Sequence, residues 1–333
     1  MSRIEPNQRT KSVEVSDPTK LGSTDLLLLL MTLIWGSNFT AIKYSLEDLL
    51  PLSFNAVRFT IATAVMLIVM AATRGYRLKL AAGDGIRLFL LGLLGNTCYQ
   101  SLFISGMAHT RAGNAALILA TTPLFTAVLG RIQKHEYFKP KGVAGLVLAF
   151  AGIILIVVSG RGEISLGETL LGDSLLLAST VCWAIYTVGS KKLMHSYGAA
   201  KVTTMMMTSG TPFLLLVCTP SLLRQDWSRV RPIAWTGVIY SGLFAIAVAY
   251  LIWAIGVKKI GSTRTAIYSN ITPIIALLVA WPALGETPTW GQLAGAAVIF
   301  GGIYLVRHGM IAVSPEVDST EDLEELTATA GKN

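Results

Sequence analysis

Long runs of apolar residues alternate with short polar segments over roughly the first 310 residues of the chain. Each run has close to the about 20 residues that a helix needs to cross a bilayer. The pattern therefore predicts membrane-spanning helices throughout, because a helix satisfies its own backbone hydrogen bonds in lipid. The ten predicted spans are 24–46, 53–73, 86–106, 111–131, 141–159, 171–190, 202–220, 233–256, 263–281 and 289–307.

Composition supports the same class. The chain is 53% hydrophobic and only 14% charged, against about 25% charged in a typical soluble domain. The first span follows a polar leader and lacks a small-residue cleavage site, so it is not a cleaved signal peptide. Residues 1–23 and 309–333 are polar and predict disordered tails, the second of them acidic. A solvated tail is the simplest interpretation of these acids, and a regulatory role is the alternative.

The net charge of +8 could indicate a nucleic-acid partner, but its distribution argues against one. With the N-terminus placed in the cytoplasm, 20 of the 27 Lys and Arg residues fall in predicted cytoplasmic segments and 5 on the opposite side. This asymmetry is the positive-inside rule. The charge predicts a multi-pass protein of the cell inner (plasma) membrane, with both termini cytoplasmic and no nucleic-acid partner.

The chain also repeats itself. Residues 106–158 align without gaps on 256–308 with eleven identities, which place Thr122-Pro123 on Thr272-Pro273 and Glu136 on Glu286. At a shift of 148, Trp35 falls on Trp183 and Lys43 on Lys191. A repeat of this length predicts two homologous halves.

Each half contains five predicted spans, so it ends on the membrane face opposite to the one on which it began. The second half must then be inverted, and we predict an all-α polytopic membrane protein of ten transmembrane helices in a 5+5 inverted repeat. The predicted units are residues 24–160 and 171–308. Inverted repeats are typical of secondary transporters, which bind substrate near the midplane between the halves and work by alternating access.

Several motifs resemble a known family. These are Ile34-Trp35-Gly36-Ser37-Asn38-Phe39 followed by Lys43, Pro51-Leu52-Ser53-Phe54 with Arg58-Phe59, and the repeated Thr-Pro followed by Glu and a Gly-containing apolar helix. In order and duplication they resemble the EamA-type units of the drug/metabolite transporter superfamily. The resemblance implies a ten-helix transporter of small metabolites, often an exporter of amino acids and related compounds. It also implies a central cavity built largely from helices 1, 3, 4, 6, 8 and 9.

Polar and aromatic side chains recur at helical spacing in the third span, where Asn96, Tyr99, Gln100 and Phe103 predict one shared face. Polar amides in hydrocarbon are costly unless they face protein or a water-filled cavity. Interhelical packing and interfacial aromatic belts are the alternative interpretation, and Asn114 and Asn270 are lesser candidates. The predicted substrate-binding residues are Trp35, Asn38, Asn96, Tyr99, Gln100, Phe103, Trp183, Tyr186, Tyr250, Trp253 and Tyr268.

Pro123 and Pro273 lie inside the fourth and ninth spans, where each removes a backbone hydrogen bond and predicts either a hinge or a static kink. Lys43 and Arg58 are the charges nearest the membrane. We expect Lys43 to reach the outer surface and Arg58 to meet Glu47 or Asp48 from the short loop. The alternative is that these cations attract a substrate carboxylate at the outer mouth.

No Asp or Glu falls in the middle of a span, and Asp25 and Asp173 lie at predicted helix starts, where N-capping explains them. Cys98, Cys182 and Cys218 lack metal-ligand spacing, and no phosphate-binding Gly-x-x-x-x-Gly-Lys motif is present. We therefore predict no cofactor, no metal, no catalytic residues and no enzyme activity.

The prediction is a monomeric secondary transporter, with the lipid bilayer and a small organic substrate as its partners. Efflux of amino acids or related amphiphilic compounds is favoured, by facilitated movement. A proton-coupled multidrug exporter is the alternative, and a channel is a further one.

Overall fold

The computed structural model describes residues 22–72, 80–132, 136–159, 166–308 and 310–312. Seven helices in this part of the chain are long and apolar enough to cross a membrane by themselves. Three shorter apolar helical stretches, Pro140–Gly152, Ser269–Leu284 and Trp290–Leu305, lie where the fifth, ninth and tenth spans are predicted. The fold is that of an all-α polytopic membrane protein, as predicted. The predicted tails lie outside the described residues apart from their first or last few positions.

The first half contains five spans. Spans 1 and 2 are the single helices α1 and α2, spans 3 and 4 are each interrupted, and span 5 is α7. Their bounds are α1 Ser23–Leu46, α2 Pro51–Ala72, α3 Asp84–Gly92, a π-helical segment Leu93–Cys98, α4 Tyr99–His109, α5 Ala112–Leu119, α6 Thr122–Ile132 and α7 Pro140–Ser159.

The second half repeats this order. Spans 6 and 7 are continuous, span 8 has a π-helical middle, span 9 contains a 3-10 turn, and span 10 is α14. Their bounds are α8 Leu166–Tyr197, α9 Ala199–Arg224, α10 Pro232–Tyr240, a π-helical segment Ser241–Val248, α11 Ala249–Ile260, α12 Ser262–Tyr268, a 3-10 turn Ser269–Ile271, α13 Thr272–Leu284 and α14 Trp290–His308.

The helix contacts follow the inverted repeat. Span 1 packs on spans 8 and 9, and span 6 packs correspondingly on spans 3 and 4. Span 2 contacts span 8 as span 7 contacts span 3, while spans 2 and 7, and spans 5 and 10, pack on each other. Each of these contacts is matched by a contact between the equivalent spans of the other half, where span 1 is equivalent to span 6, span 2 to span 7, and so on to spans 5 and 10. This exchange is what a two-fold axis between the halves requires.

The irregular segments also occur at equivalent positions. A shift of 150 places the π-helical segment of span 3 within that of span 8, and it places the break before Thr122 on the 3-10 turn before Thr272. π-helical turns in α-helices are rare and occur most often at functional sites. Both pairs of irregular segments lie in the middle of their spans, where the helices surround the centre of the bundle.

We define the near face of the bundle as the end at which α1 begins and the far face as the end at which it stops. At the far face, Glu286 follows span 9 and accepts hydrogen bonds from the N–H groups of Ala112 and Gly113, at 3.2 Å each. A carboxylate at a helix N-terminus satisfies free backbone donors and interacts favourably with the helix dipole. Glu286 thereby joins span 9 to span 4. The side chain of its counterpart, Glu136, lies outside the described part of the structure.

The helix starts differ from the prediction in one place. Gly22 donates its N–H to Asp25 at 2.7 Å, so Asp25 does support the first turn of α1. Asp173 does not cap a helix, because α8 already begins at Leu166. Its buried carboxylate instead accepts a hydrogen bond from the hydroxyl of Thr110 at 2.8 Å, which ties span 6 to the end of span 3.

A short antiparallel strand pair supplements the helices. β1 (Glu136–Phe138) follows span 4 and pairs with β2 (Met310–Ala312), which follows span 10. The apolar pattern does not predict this pairing, since each strand has only three residues. It joins the ends of the two halves at the near face.

The loop acids at the far face do not contact Arg58, contrary to expectation. Arg231 pairs with Glu47 at 2.6 Å and with Asp48 at 2.8 Å, and this connects the loop after α1 to the start of α10. The hydrogen bond and positive charge of Arg231 lower the pKa of Asp48 below its usual value. Asp48 therefore stays ionised at any physiological pH, and Arg58 is left without these partners.

Candidate functional site

A cavity lies between the two halves, in the part of the bundle nearer the far face. Its volume is about 60 Å³, whereas ligand pockets typically have about 300–1,000 Å³. The side chains around the cavity are therefore closely packed, and the open space is smaller than a typical ligand pocket. Six spans contribute the lining residues Trp35, Asn38, Phe39, Arg58, Tyr99, Gln100, Phe103, Ala116, Leu119, Ala120, Ala245, Ile246, Tyr250, Ser269 and Thr272.

Spans 1, 3, 4, 8 and 9 line the cavity, as the family resemblance implies. Span 2 takes part through Arg58, whereas none of the described side chains of span 6 lines the cavity. The reason is that the indole of Trp183, in span 6, packs against Tyr99 and Tyr250, with ring centroids 4.9 Å apart in each case. These two tyrosines lie between span 6 and the open space.

A continuous aromatic cluster borders the cavity. Trp35 contacts Trp183 and Trp253 at centroid distances of 6.0 and 5.4 Å, and Trp183 stacks on Tyr186 at 5.0 Å. Each such contact contributes about 0.5–1.5 kcal/mol beyond the burial of the rings. Spans 1, 6 and 8 meet in this cluster, so any change in their relative position must rearrange it.

Each of the two π-helical segments contacts an aromatic residue of this cluster. The indole N–H of Trp35 donates to the backbone carbonyl of Ala245, inside the π-helical segment of span 8, at 2.9 Å. In span 3, a Cβ added to Gly95 would lie only 2.2 Å from the ring of Tyr186. Glycine is thus required in the π-helical segment for the close approach of span 6.

Arg58 lies in α2 about 10 Å along the axis from Pro51, at the rise of 1.5 Å per residue. Its side chain is buried, with 1% exposure. The guanidinium donates to Asn55 Oδ1 at 2.8 Å, Ser241 Oγ at 2.9 Å and Gln100 Oε1 at 2.7 Å. All three acceptors are neutral, and no carboxylate pairs with Arg58 in the described part of the chain.

An unpaired buried cation has a desolvation cost on the order of several kcal/mol. Aromatic faces offset part of this cost, because the guanidinium carbon lies 5.0 Å from the ring centroid of Phe54 and 5.5 Å from that of Phe103. Gln100 extends the network by donating to the hydroxyl of Tyr250 at 2.5 Å. The cavity therefore has a positively charged wall formed by spans 2, 3 and 8.

Two polar oxygens on the cavity wall have no partner among the residues that the structure describes. Asn38 Oδ1 and Thr272 Oγ1 are buried and make no hydrogen bond with this part of the chain, and both residues line the cavity. A buried polar group without a partner costs about 1–3 kcal/mol. Such groups on the wall of a cavity are suited to bind a ligand that supplies the missing donors.

Of the predicted site residues, Trp35, Asn38, Tyr99, Gln100, Phe103 and Tyr250 line the cavity, and Trp183, Tyr186 and Trp253 belong to the aromatic cluster behind it. Trp253 also donates to the hydroxyl of Thr187 at 3.3 Å. Two predicted residues, Asn96 and Tyr268, lie elsewhere.

Asn96 does not share a face with Tyr99 and Gln100. It lies in the π-helical segment, whose wider turn breaks the 3.6-residue period on which the expectation depended. Its amide donates to the carbonyl of Met206 in span 7 at 2.9 Å. Tyr268 lies toward the near face, where its hydroxyl donates to Asp25 at 2.5 Å. It joins span 9 to the start of span 1.

The lesser candidates Asn114 and Asn270 also lie outside the cavity lining. Asn114 accepts a hydrogen bond from Gln292 of span 10 at 2.6 Å. Asn270 is part of the 3-10 turn of span 9. Lys43, at the far end of α1, is half-buried near Glu286.

Each predicted proline site is a break in its helix. In span 4, the hydroxyl of Thr122 donates to the carbonyl of Leu119 at 2.6 Å, which satisfies the acceptor that Pro123 leaves free. In span 9, the carbonyl of Ser269 accepts a hydrogen bond from the N–H of Thr272, and the hydroxyl of Thr272 has no partner among the described residues. The α-helix is interrupted at both sites, and a hinge or a static kink there remains a prediction.

The sequence did not place Arg58 at the centre of the bundle, nor did it indicate Asn55, Ser241 and Thr272. The signal was nonetheless present, because an ionisable residue within an apolar run is a functional-site candidate by default. Asn55, three residues before Arg58, lies on the same helix face and could have shown that this face is polar and buried.

The fold and the site together define a class: a polytopic helical membrane protein with two inverted halves around a buried cavity that is lined by polar and aromatic groups. The sequence profile of the EamA-like transporter family matches residues 22–158 and 170–307. The chain belongs to the EamA-like transporter family.

Relatives match over nearly their whole length. The chain is 29% identical to the uncharacterized transporter YyaM of Bacillus subtilis over 89% of this chain and 96% of the relative. It is 29% identical to a probable terminal-alkyne amino-acid exporter of Streptantibioticus cattleyicolor, over 87% of this chain and 95% of the relative. It is 28% identical to a probable amino-acid metabolite efflux pump of Salmonella typhimurium, over 85% and 94% respectively.

A solved crystal structure has the same fold. It superimposes with a TM-score of 0.65 and 21% sequence identity, over 86% of this chain and 99% of the other chain. At this identity the similarity concerns the fold alone.

Proposed function

We propose that the chain is a secondary transporter that exports amino acids or related small amphiphilic metabolites by alternating access. The observation that carries this proposal is the cavity between the halves, in which a cationic wall, unpartnered acceptors and aromatic rings face one small space. Such a lining suits a molecule that has both charged groups and an apolar part. Two relatives, a probable terminal-alkyne amino-acid exporter and a probable amino-acid metabolite efflux pump, support the same substrate class.

The moving units are the predicted halves, residues 24–160 and 171–308. The cavity is too small in this conformation for an amino acid, so the halves must separate at one membrane face at a time. Transport rather than catalysis is the function of such a site, and the chain acts as a monomer in the inner membrane with both termini cytoplasmic.

Substrate movement follows its own gradient. The ionised side chain on the described cavity wall is Arg58, and an arginine keeps its proton at any physiological pH. A proton-coupled multidrug exporter instead uses a carboxylate that binds and releases a proton within the membrane. The facilitated mechanism is therefore favoured over the proton-coupled alternative.

The proposal is tested by reconstituting the protein in proteoliposomes and measuring counterflow of each standard amino acid. We expect saturable exchange of at least one amino acid, unchanged by an imposed pH gradient and reduced by Trp35→Ala, Tyr99→Ala and Trp253→Ala. Strict dependence on a pH gradient would support the proton-coupled alternative. Exchange that none of the three variants alters would show that the cavity is not the binding site.

A further inference from the structure

The guanidinium of Arg58 has N–H donors that its hydrogen bonds to neighbouring side chains do not use. An arginine carries five N–H donors, and the three hydrogen bonds to Asn55, Ser241 and Gln100 use three of them. No carboxylate in the described residues neutralises the charge. Arg58 lines the cavity, so a ligand in the cavity can reach it.

The surroundings of Arg58 strengthen its attraction for an anion. The rings of Phe54, Phe59 and Phe103 lie at 5.0, 6.0 and 5.5 Å from the guanidinium carbon. They exclude water, and the attraction between opposite charges is greater where water is excluded. Arginine pairs with carboxylates through two parallel hydrogen bonds, which gives geometric selectivity as well as affinity.

The cavity wall also carries oxygens that can accept hydrogen bonds, in contrast to the donors of Arg58. Within the described ranges of the chain, no group donates a hydrogen bond to Asn38 Oδ1 or Thr272 Oγ1, although both residues are only 6% exposed. They belong to spans 1 and 9, whereas Arg58 and its partners belong to spans 2, 3 and 8. A ligand with an anionic group and a nearby ammonium group would satisfy both sets of side chains at once.

We propose that Arg58 binds the carboxylate of the substrate, and that Asn38 and Thr272 accept hydrogen bonds from its ammonium group. The site thus recognises small α-amino acids as zwitterions, and their side chains pack against the aromatic cluster. This proposal rests on the proposed function and specifies which chemical groups of the substrate are recognised.

A purely structural role for Arg58 is the competing explanation, because its hydrogen bonds join spans 2, 3 and 8. The two explanations differ for the variant Gln100→Glu. A glutamate at this position places a carboxylate beside the guanidinium, and its negative charge neutralises the positive charge of Arg58 without a substrate. A structural arginine would be better satisfied and would leave substrate choice unchanged, whereas a binding arginine would no longer be available to a substrate carboxylate.

The experiment compares three forms of the amino acid that the wild-type protein carries fastest, for instance leucine, leucinamide and 4-methylpentanoate. Each compound competes in proteoliposome counterflow, and each is tested for stabilising the purified protein against thermal unfolding. For the wild type we expect the amino acid to act at concentrations at least about tenfold lower than either analogue, since a buried partner left unpaired is costly.

In Arg58→Gln and Gln100→Glu the preference for the amino acid over its amide should fall to about onefold, and Arg58→Lys should keep part of it because the positive charge remains. Asn38→Leu should instead lower the preference over the deamino acid. The control is Arg87→Gln, which removes an exposed cation in a loose pair with Asp84 and should keep the wild-type ratios.

The results of these assays separate the proposed function from the inference about Arg58. If the wild type carries no amino acid, both the proposed function and this inference fail. If it carries amino acids but accepts the amide equally, or if both Arg58→Gln and Gln100→Glu keep the wild-type preference, the inference alone is overturned. Should Arg58→Gln fail to fold, Gln100→Glu and Arg58→Lys provide the same comparison.

Discussion

At the scale of single residues, the two halves differ where their helices face the cavity. The Thr-Pro pair occurs in both, yet the hydroxyl of Thr122 donates to the carbonyl of Leu119, whereas that of Thr272 has no partner in the part of the chain that the structure describes. Both halves therefore have a break in the helix at this position, but the threonine hydroxyl has a different role in each half. In span 4 the hydroxyl stabilises the broken helix, and in span 9 it faces the cavity.

This difference predicts opposite effects for the same substitution. Thr122→Val should destabilise the protein by about 0.5–1.5 kcal/mol, because it leaves a buried carbonyl without a donor, and substrate affinity should not change. Thr272→Val should leave stability unchanged or raise it, because an unsatisfied hydroxyl is removed, and it should weaken substrate binding. Thermal unfolding in detergent and counterflow competition measure the two effects. Equal behaviour of the two variants in both assays would contradict the assignment.

At the scale of helices, close packing at glycine fixes how spans 3 and 7 cross. A Cβ added to Gly210 would lie 2.3 Å from the carbonyl oxygen of Gly92. Small residues allow backbones to approach in membranes, where helices gain no hydrophobic driving force from association. The same two spans are joined by Asn96 to Met206 and by Thr97 to Gly210, at 2.9 and 2.8 Å. Span 7 thus supports the π-helical segment from behind.

We expect Gly210→Ala to destabilise the protein by about 1–3 kcal/mol, because the clash is with backbone that cannot move aside. The matched control is Gly301→Ala, where the added Cβ would meet only the side chain of Leu148 at 3.8 Å. Differential scanning fluorimetry of the purified variants makes the comparison. A midpoint for Gly210→Ala equal to that of Gly301→Ala would show that spans 3 and 7 separate easily.

At the scale of the whole molecule, the two halves are joined at both faces. At the far face Arg231 pairs with Glu47 and Asp48, and at the near face the hydroxyl of Tyr197 donates to Asp84 at 2.6 Å. The two contacts differ in chemical type. The contact at the far face is an ion pair, and the contact at the near face is a hydrogen bond from a neutral hydroxyl to a carboxylate. The contact at the far face is the one that salt screens, because it is made by opposite charges on partly exposed side chains.

The orientation of the bundle follows from charge and remains a prediction. In a background without Cys98, Cys182 and Cys218, we introduce a cysteine in place of Arg229 at the far face or Lys259 at the near face, both of them exposed. A membrane-impermeant maleimide should label the Arg229→Cys variant in intact cells, and it should label Lys259→Cys only after permeabilisation. The reverse pattern would place the termini outside.

The sequence by itself determined the class, the number of spans and the inverted repeat, because apolar length and charge asymmetry act on each segment separately. It also identified most of the aromatic side chains at the centre, since Trp and Tyr in the middle of apolar runs are conspicuous. Helical spacing failed for Asn96, because local hydrogen bonding in a π-helical segment is not encoded in a 3.6-residue period.

Only the tertiary structure decided what the polar residues do. Arg58 was expected to meet Glu47 or Asp48, but those acids pair with Arg231, which is more than 170 residues away in the chain. Whether a buried charge or hydroxyl has a partner depends on which helices pack side by side, and that is a property of the assembled bundle. The same packing leaves Arg58, Asn38 and Thr272 facing one cavity from three different spans.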